Sequence, residues 1–189
     1  MQVSKYLFPL ILTLFFPACK ADSGGGAAAS QQAATSSSPS AAETTAGGKQ
    51  ELMFVLADQT VSKGDTLCVD VQVRDFTNIL SMQYSMNWDP KVLKFLQIGG
   101  FNLKDLSQNN FGLNRTAQGS MGTSWFDYAV QGISIPDGTV IYKVCYQAVG
   151  EPGAKTQVVF SNEPVIIEIS NSAEQLLGLA FKRANITIQ

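Results

Sequence analysis

Apolar and polar positions alternate most clearly between residues 80 and 89. Leu80, Met82, Tyr84, Met86 and Trp88 occupy every second place, and Ser81, Gln83, Ser85, Asn87 and Asp89 fall between them. Successive side chains of a strand point to opposite faces, so this pattern predicts a strand with one buried and one polar face. Asp89-Pro90 ends it, because proline fixes φ and donates no hydrogen bond to a ladder. The same alternation recurs over 66–74, where Leu67, Val69, Val71 and Val73 oppose Cys68, Asp70 and Gln72. Over 139–149, Val140, Tyr142, Val144, Tyr146 and Ala148 oppose Ile141, Lys143, Cys145 and Gln147.

Further short runs of β-branched and aromatic residues predict strands at 52–56, 92–98, 120–127, 132–135, 156–161, 165–169 and 184–189. Turn dipeptides such as Lys63-Gly64, Gly99-Gly100 and Pro152-Gly153 punctuate them. A helical turn is expected over 171–177, with Ser172 as its N-cap. The spacing is that of an all-β sandwich or jelly roll. It occupies residues 51–189, a length suited to one core.

The first fifty residues follow a different pattern. Residues 1–18 read as a signal segment, with Lys5 ahead of an apolar run from Leu7 to Phe16. That run is about ten residues, too short to cross a ~30 Å hydrocarbon layer as a helix. It ends in Phe16-Pro17-Ala18-Cys19, which resembles the lipobox of bacterial lipoproteins, with Phe16 and Pro17 in place of the usual leucine and small residue. The resemblance implies cleavage before Cys19, lipidation of that cysteine and anchoring to the cell envelope, with the outer membrane expected and the folded domain extracytoplasmic. Residues 19–50 then consist almost wholly of Ala, Gly, Ser, Thr and Gln. Such a stretch cannot bury enough apolar surface to offset its chain entropy, so a disordered linker is expected there.

Export changes the reading of the two remaining cysteines. In an oxidising compartment Cys68 and Cys145 are expected to pair, provided their strands are neighbours in suitable register. The alternative is two unpaired thiols. Composition removes several functions. The chain has no histidine, which excludes Ser-His-Asp and Cys-His catalysis and any His-ligated metal. A net charge of −2 without a basic cluster lacks the footprint of nucleic-acid binding. No cofactor or metal motif appears, and no Asp-x-Asp-x-Asp-Gly calcium loop.

The order of motifs supports a resemblance. Lys63-Gly64-Asp65-Thr66 leads into a valine strand. Met82–Pro90 follows, with its Trp88-Asp89-Pro90 corner, and then Val92-Leu93. Gly122-Thr123-Ser124-Trp125-Phe126-Asp127 leads through Pro136-Asp137-Gly138-Thr139 into the long apolar strand. This order resembles cohesin domains and related bacterial carbohydrate-binding sandwiches, and the cysteine-bearing variant looks like surface proteins of the Bacteroidetes group. The resemblance implies a nine-stranded jelly roll without catalysis that recognises dockerin modules through one flat sheet face. Aligned on the Asp-Pro corner, Ser81 and Gln83 occupy the places where well-studied members carry asparagine and aspartate.

Four functional readings follow. A recognition module for a protein, dockerin-like or another surface protein, would use Ser81, Gln83, Ser85 and Asn87, with Ser120 and Ser124 if their strand is adjacent. A polysaccharide-binding module would need exposed rings for sugar stacking, and Trp125, Phe126 and Tyr128 are the candidates. Trp125 and Phe126 face opposite ways, so they cannot both be buried in one sheet face. An enzyme would need a carboxylate pair, for which Asp89 and Asp127 are the acids beside aromatics. Asp89 more simply caps its proline turn, so no catalytic residue is assigned. A structural or adhesive surface domain would need none of these groups.

Overall fold

The computed structural model describes residues 51–189. The expected signal segment, the lipidated Cys19 and the linker lie outside the described residues. Among the described residues twelve strands form: β1 Glu51–Val55, β2 Gln59–Val61, β3 Thr66–Arg74, β4 Ile79–Asn87, β5 Leu93–Gly99, β6 Phe111–Gly112, β7 Ser120–Phe126, β8 Val140–Ala148, β9 Lys155–Ser161, β10 Glu168–Asn171, β11 Leu176–Lys182 and β12 Ala184–Ile188. Short 3-10 turns at Gln108–Asn110 and Leu113–Gln118 precede β6 and β7.

The strands make a jelly-roll sandwich. One layer runs β5-β8-β3-β1-β11. In the other, β4 lies between β7 and the pair β10 and β9, which follow one another along its far side. β9 continues the layer to β12 and β2. β11 joins the layers, pairing first with β10 and then parallel to β1.

Alternation along β3, β4 and β8 sends Val69, Val71, Tyr84, Met86, Tyr142 and Val144 into the space between the layers, where all are fully buried. Phe54, Tyr84 and Phe160 pack edge to face or tilted at 5.0–5.3 Å between centroids. Each such aromatic pair adds about 0.5–1.5 kcal/mol beyond its buried area. The Tyr84 hydroxyl donates to that of Tyr142 at 3.0 Å. Burial pushes both phenols above their usual range.

Cys68 and Cys145 stand opposite each other on β3 and β8 and form a disulfide. They lie on the outer side of this layer, so the bridge staples two strands without taking core volume.

Four sequence expectations change. The 132–135 segment is not a strand, although Ile133 makes an isolated bridge to Ile79. The 171–177 segment is a hairpin turn and not a helical one. The Asn171 side-chain oxygen accepts from the amides of Ala173 and Gln175, an Asx-type turn that leads directly into β11. The strand expected at 165–169 begins only at Glu168, because residues 162–167 cross the outside of the sheet. Finally, the pattern does not predict three of the strands: β2, β6 and β11. β2 and β6 are too short to show alternation, and the glycine and alanine of LLGLAFK blur it in β11.

Candidate functional site

The outer face of β4 carries the polar residues that alternate with its core residues. β7 is its antiparallel neighbour, with Phe126 opposite Ser81, Ser124 opposite Gln83, Gly122 opposite Ser85 and Ser120 opposite Asn87. On the other side Ser170 faces Ser81 and Glu168 faces Gln83. Leu176 of β11 faces Ser170. Directly opposed residues share a face, so Phe126, Ser81, Ser170 and Leu176 form one transverse row. The two serine hydroxyls hydrogen-bond at 2.7 Å in its centre. Phe126 is 40% exposed and Leu176 58% exposed at its ends. The next row, Ser124-Gln83-Glu168, is polar throughout.

Beyond Phe126 the chain turns through Asp127–Gly132. Asp127 is buried and organises that loop. Its carboxylate accepts from the amides of Ala129, Gln131 and Gly132 and from the Lys104 ammonium. Burial alone would raise the Asp127 carboxyl. The hydrogen bonds from the Gln131 amide and Lys104 outweigh it and hold the group below the usual carboxylate range. The reciprocal bond to Asp127 raises Lys104. The loop presents Tyr128, 74% exposed, with its ring 6.2 Å from that of Phe126. Val130, also exposed, has φ +56°, a strained conformation for a β-branched side chain. A fixed apolar tip therefore flanks the serine row.

Several expectations about this face need correction. Ser85 is fully buried. Its hydroxyl donates to the Val165 carbonyl at 3.0 Å and accepts from the Val165 amide at 2.7 Å. Val165 thereby lies over Gly122, where a Cβ would come within 2.7 Å of Val165 Cγ2, so any larger residue there forces the valine to shift. Ser120 is also buried, accepting from the Asn87 amide at 3.1 Å. Trp125 cannot belong to a sugar platform, because it is buried against Phe76 and its Nε1 donates to the Lys104 carbonyl. Phe126 and Tyr128 remain exposed, but their rings stand at 71° to one another and form no flat surface. The two acids beside aromatics are both engaged with backbone: Asp89 accepts from the Lys91 amide at 2.8 Å, and Asp127 holds its loop. Ser81, Gln83, Asn87 and Ser124 remain at least partly accessible.

Residues 162–167 thus divide the face in two. One half holds the serine row and the aromatic tip. The other is a cleft of about 800 Å3 between the Leu113–Gln118 turn and Glu163-Pro164, with Asn87 and Ser120 at its base. No alternation of apolar and polar positions marks this cleft, whose walls are a 3-10 turn and a loop.

A two-layered jelly roll with one such face defines the class of this domain. The cohesin-domain family profile matches residues 52–174, and the chain belongs to that family. Solved structures share the fold. The cohesin of the Coh-OlpC–Doc435 complex, a type I cohesin–dockerin complex from Clostridium thermocellum, is 15% identical, with a TM-score of 0.62 over 76% of this chain and 97% of that one. CaCohA2 from Clostridium acetobutylicum is 13% identical, with a TM-score of 0.60 over 75% and 92%. A non-cellulosomal cohesin from the archaeon Archaeoglobus fulgidus is 16% identical, with a TM-score of 0.56 over 74% and 91%. No curated protein matches the chain.

Proposed function

We propose that this protein is a non-catalytic recognition module, lipid-anchored through Cys19 and extracytoplasmic, that binds a protein partner on the outer face of β7, β4 and β10. The observation that carries the reading is the row Phe126-Ser81-Ser170-Leu176, with Tyr128 beside it. Interfaces are anchored by aromatic and aliphatic side chains around hydrogen-bonding groups that fix register. This row provides both on rigid strands. Family membership makes a dockerin the first partner to test.

The floor differs from the asparagine-aspartate pair of well-studied cohesins, since Ser81 and Gln83 carry no charge. The partner is accordingly one that does not need an acidic floor on β4; Glu168, opposite Gln83, is the carboxylate available to a basic residue.

The test is affinity capture with the full chain against a dockerin panel and the cell-envelope proteome. The doubly substituted Phe126→Asp/Leu176→Asp form serves as the control. Binding that disappears in the variant supports the face, and binding that survives it rejects the face. Absence of labelled fatty acid in a Cys19→Ala form, against its presence in the parent, tests the anchor.

A further inference from the structure

We propose a second ligand site, distinct from the serine row: the cleft between Leu113–Gln118 and Glu163-Pro164 takes a neutral glycan. It does not rest on the protein-binding reading, because it uses other residues of the sheet.

Both walls are built and held. The 3-10 turn ends at Gly119, whose φ of +76° and close approach to the Trp88 carbonyl exclude any other residue. The Trp88 amide donates to the Gly119 carbonyl at 2.9 Å, so this wall is fixed to the end of β4. The opposite wall is tied down by the Glu163 amide, which donates to Ser161 Oγ, and by the Ser85 clamp on Val165. Asn87 is oriented at the base. Its Oδ1 accepts from the Ser161 hydroxyl and its Nδ2 donates to Ser120 Oγ. That leaves one Asn87 amide hydrogen and the Ser120 hydroxyl hydrogen free to donate.

The functional heads have no partners among the described residues. The side chains of Asn114, Arg115 and Gln118, and the Glu163 carboxylate, make no hydrogen bond or salt bridge there, although all four line one cleft. The volume, about 800 Å3, lies within the range of ligand pockets.

The chemistry selects the ligand class. Every sugar hydroxyl both donates and accepts. Vicinal hydroxyls suit the paired acceptors of a carboxylate, the forked donors of a guanidinium and the mixed edge of an amide. The cleft supplies all three. Arg115 is balanced by Glu163, so no net positive charge favours phosphate. A single carboxylate does not make a metal site. A protein-interface core would want aromatic or aliphatic anchors, and those stand at the other end of the face, at Phe126, Tyr128 and Leu176. Pro164 provides the one apolar ring against which the C–H face of a sugar can rest.

The experiment follows the side-chain amide signals of the isotopically labelled full chain by NMR. It is titrated separately with neutral tetrasaccharides of glucose, xylose, mannose and N-acetylglucosamine, and with sodium phosphate. The expected result is saturable shifts of the Asn87, Asn114 and Gln118 amides with at least one tetrasaccharide. Arg115→Ala and Glu163→Gln should each weaken that binding at least tenfold, and Phe126→Ala should leave it unchanged. All three residues are exposed, and an unchanged backbone spectrum of β4 establishes that each variant is folded. Four outcomes overturn the proposal. These are no saturable shift with any sugar, sugar binding that survives both cleft substitutions, shifts produced by phosphate but not by sugar, and a protein partner lost on Arg115→Ala in a chain that binds no sugar.

Discussion

Substituting Ser85 by alanine removes one oxygen and should free one segment. That oxygen holds Val165 twice, donating to its carbonyl at 3.0 Å and accepting from its amide at 2.7 Å. A typical intramolecular hydrogen bond contributes about 0.5–1.5 kcal/mol net, so the pair contributes about 1–3 kcal/mol to the closed position of residues 162–167. At tenfold per 1.4 kcal/mol, the local opening equilibrium should rise roughly 5- to 150-fold. The alanine methyl group still fits beneath Val165, and the core face of β4 is untouched, so global stability should change far less than local opening. The assay is hydrogen exchange under conditions where exchange follows the opening equilibrium. The Val165 amide should exchange 5- to 150-fold faster in Ser85→Ala, while core amides such as those of Tyr84 and Val144 keep their rates. A Val165 amide that exchanges at the parent rate would falsify the clamp. Equal acceleration of Val165 and the core would mean that Ser85 supports the whole sheet and not the crossing segment alone.

Other predictions concern the remaining supports of the domain. Cys68→Ser/Cys145→Ser opens a bridge between residues 77 apart and should cost up to about 4.5 kcal/mol in the chain-entropy description, read by denaturant unfolding of the oxidised and variant proteins; a loss below about 1 kcal/mol would contradict it. Gly122→Val should displace residues 162–167 through its clash with Val165, seen as the same Val165 amide losing protection while β4 and β7 stay paired. The Asp127 loop should be insensitive to pH from neutrality down to the usual aspartate value of 3.8. Its carboxyl titrates lower when folded than when unfolded, so its contribution is present above 3.8 and is lost as pH falls through the lower folded value. The Ala129, Gln131 and Gly132 amide shifts report it, and movement between pH 6 and 5 would refute the assignment. Trp125→Phe keeps the ring buried but leaves the Lys104 carbonyl without its donor, and should destabilise by about 1–3 kcal/mol in thermal or denaturant unfolding.

The fold was legible where alternation is long and one-sided. β3 was bounded as observed, β4 and β8 to within about a residue at each end, and together they fix the sandwich. The site was legible only as a face. Period-two alternation says which residues leave the core, but not what lies above them. Ser85 and Gln83 are indistinguishable in the pattern, yet one is covered by Val165, eighty residues away in the chain, and the other is not. Trp125 and Phe126 show the same limit from the other side. Their opposite orientations were foreseeable, but which faces inward depends on the register of β7 against β4. The cleft was invisible because its walls come from a 3-10 turn and a loop without periodicity. Glu163-Pro164 is the mark in the sequence that the strand begins only beyond it, because proline donates no hydrogen bond to a ladder.

The pairing of β1 bears on mechanical strength. Fifty residues precede Glu51, so a pull on that preceding chain enters the domain at β1. β1 lies between β11, with which it runs parallel over five residue pairs, and β3, which it opposes over three. A load along β1 strains both ladders lengthwise and at once, so their bonds share the force instead of opening one after another like a zip. The proposed recognition face lies on the other layer, away from this point of entry. Single-molecule stretching from the N-terminal side should therefore meet its main resistance at β1, while the face on β4 and β7 keeps its geometry until that strand shears free.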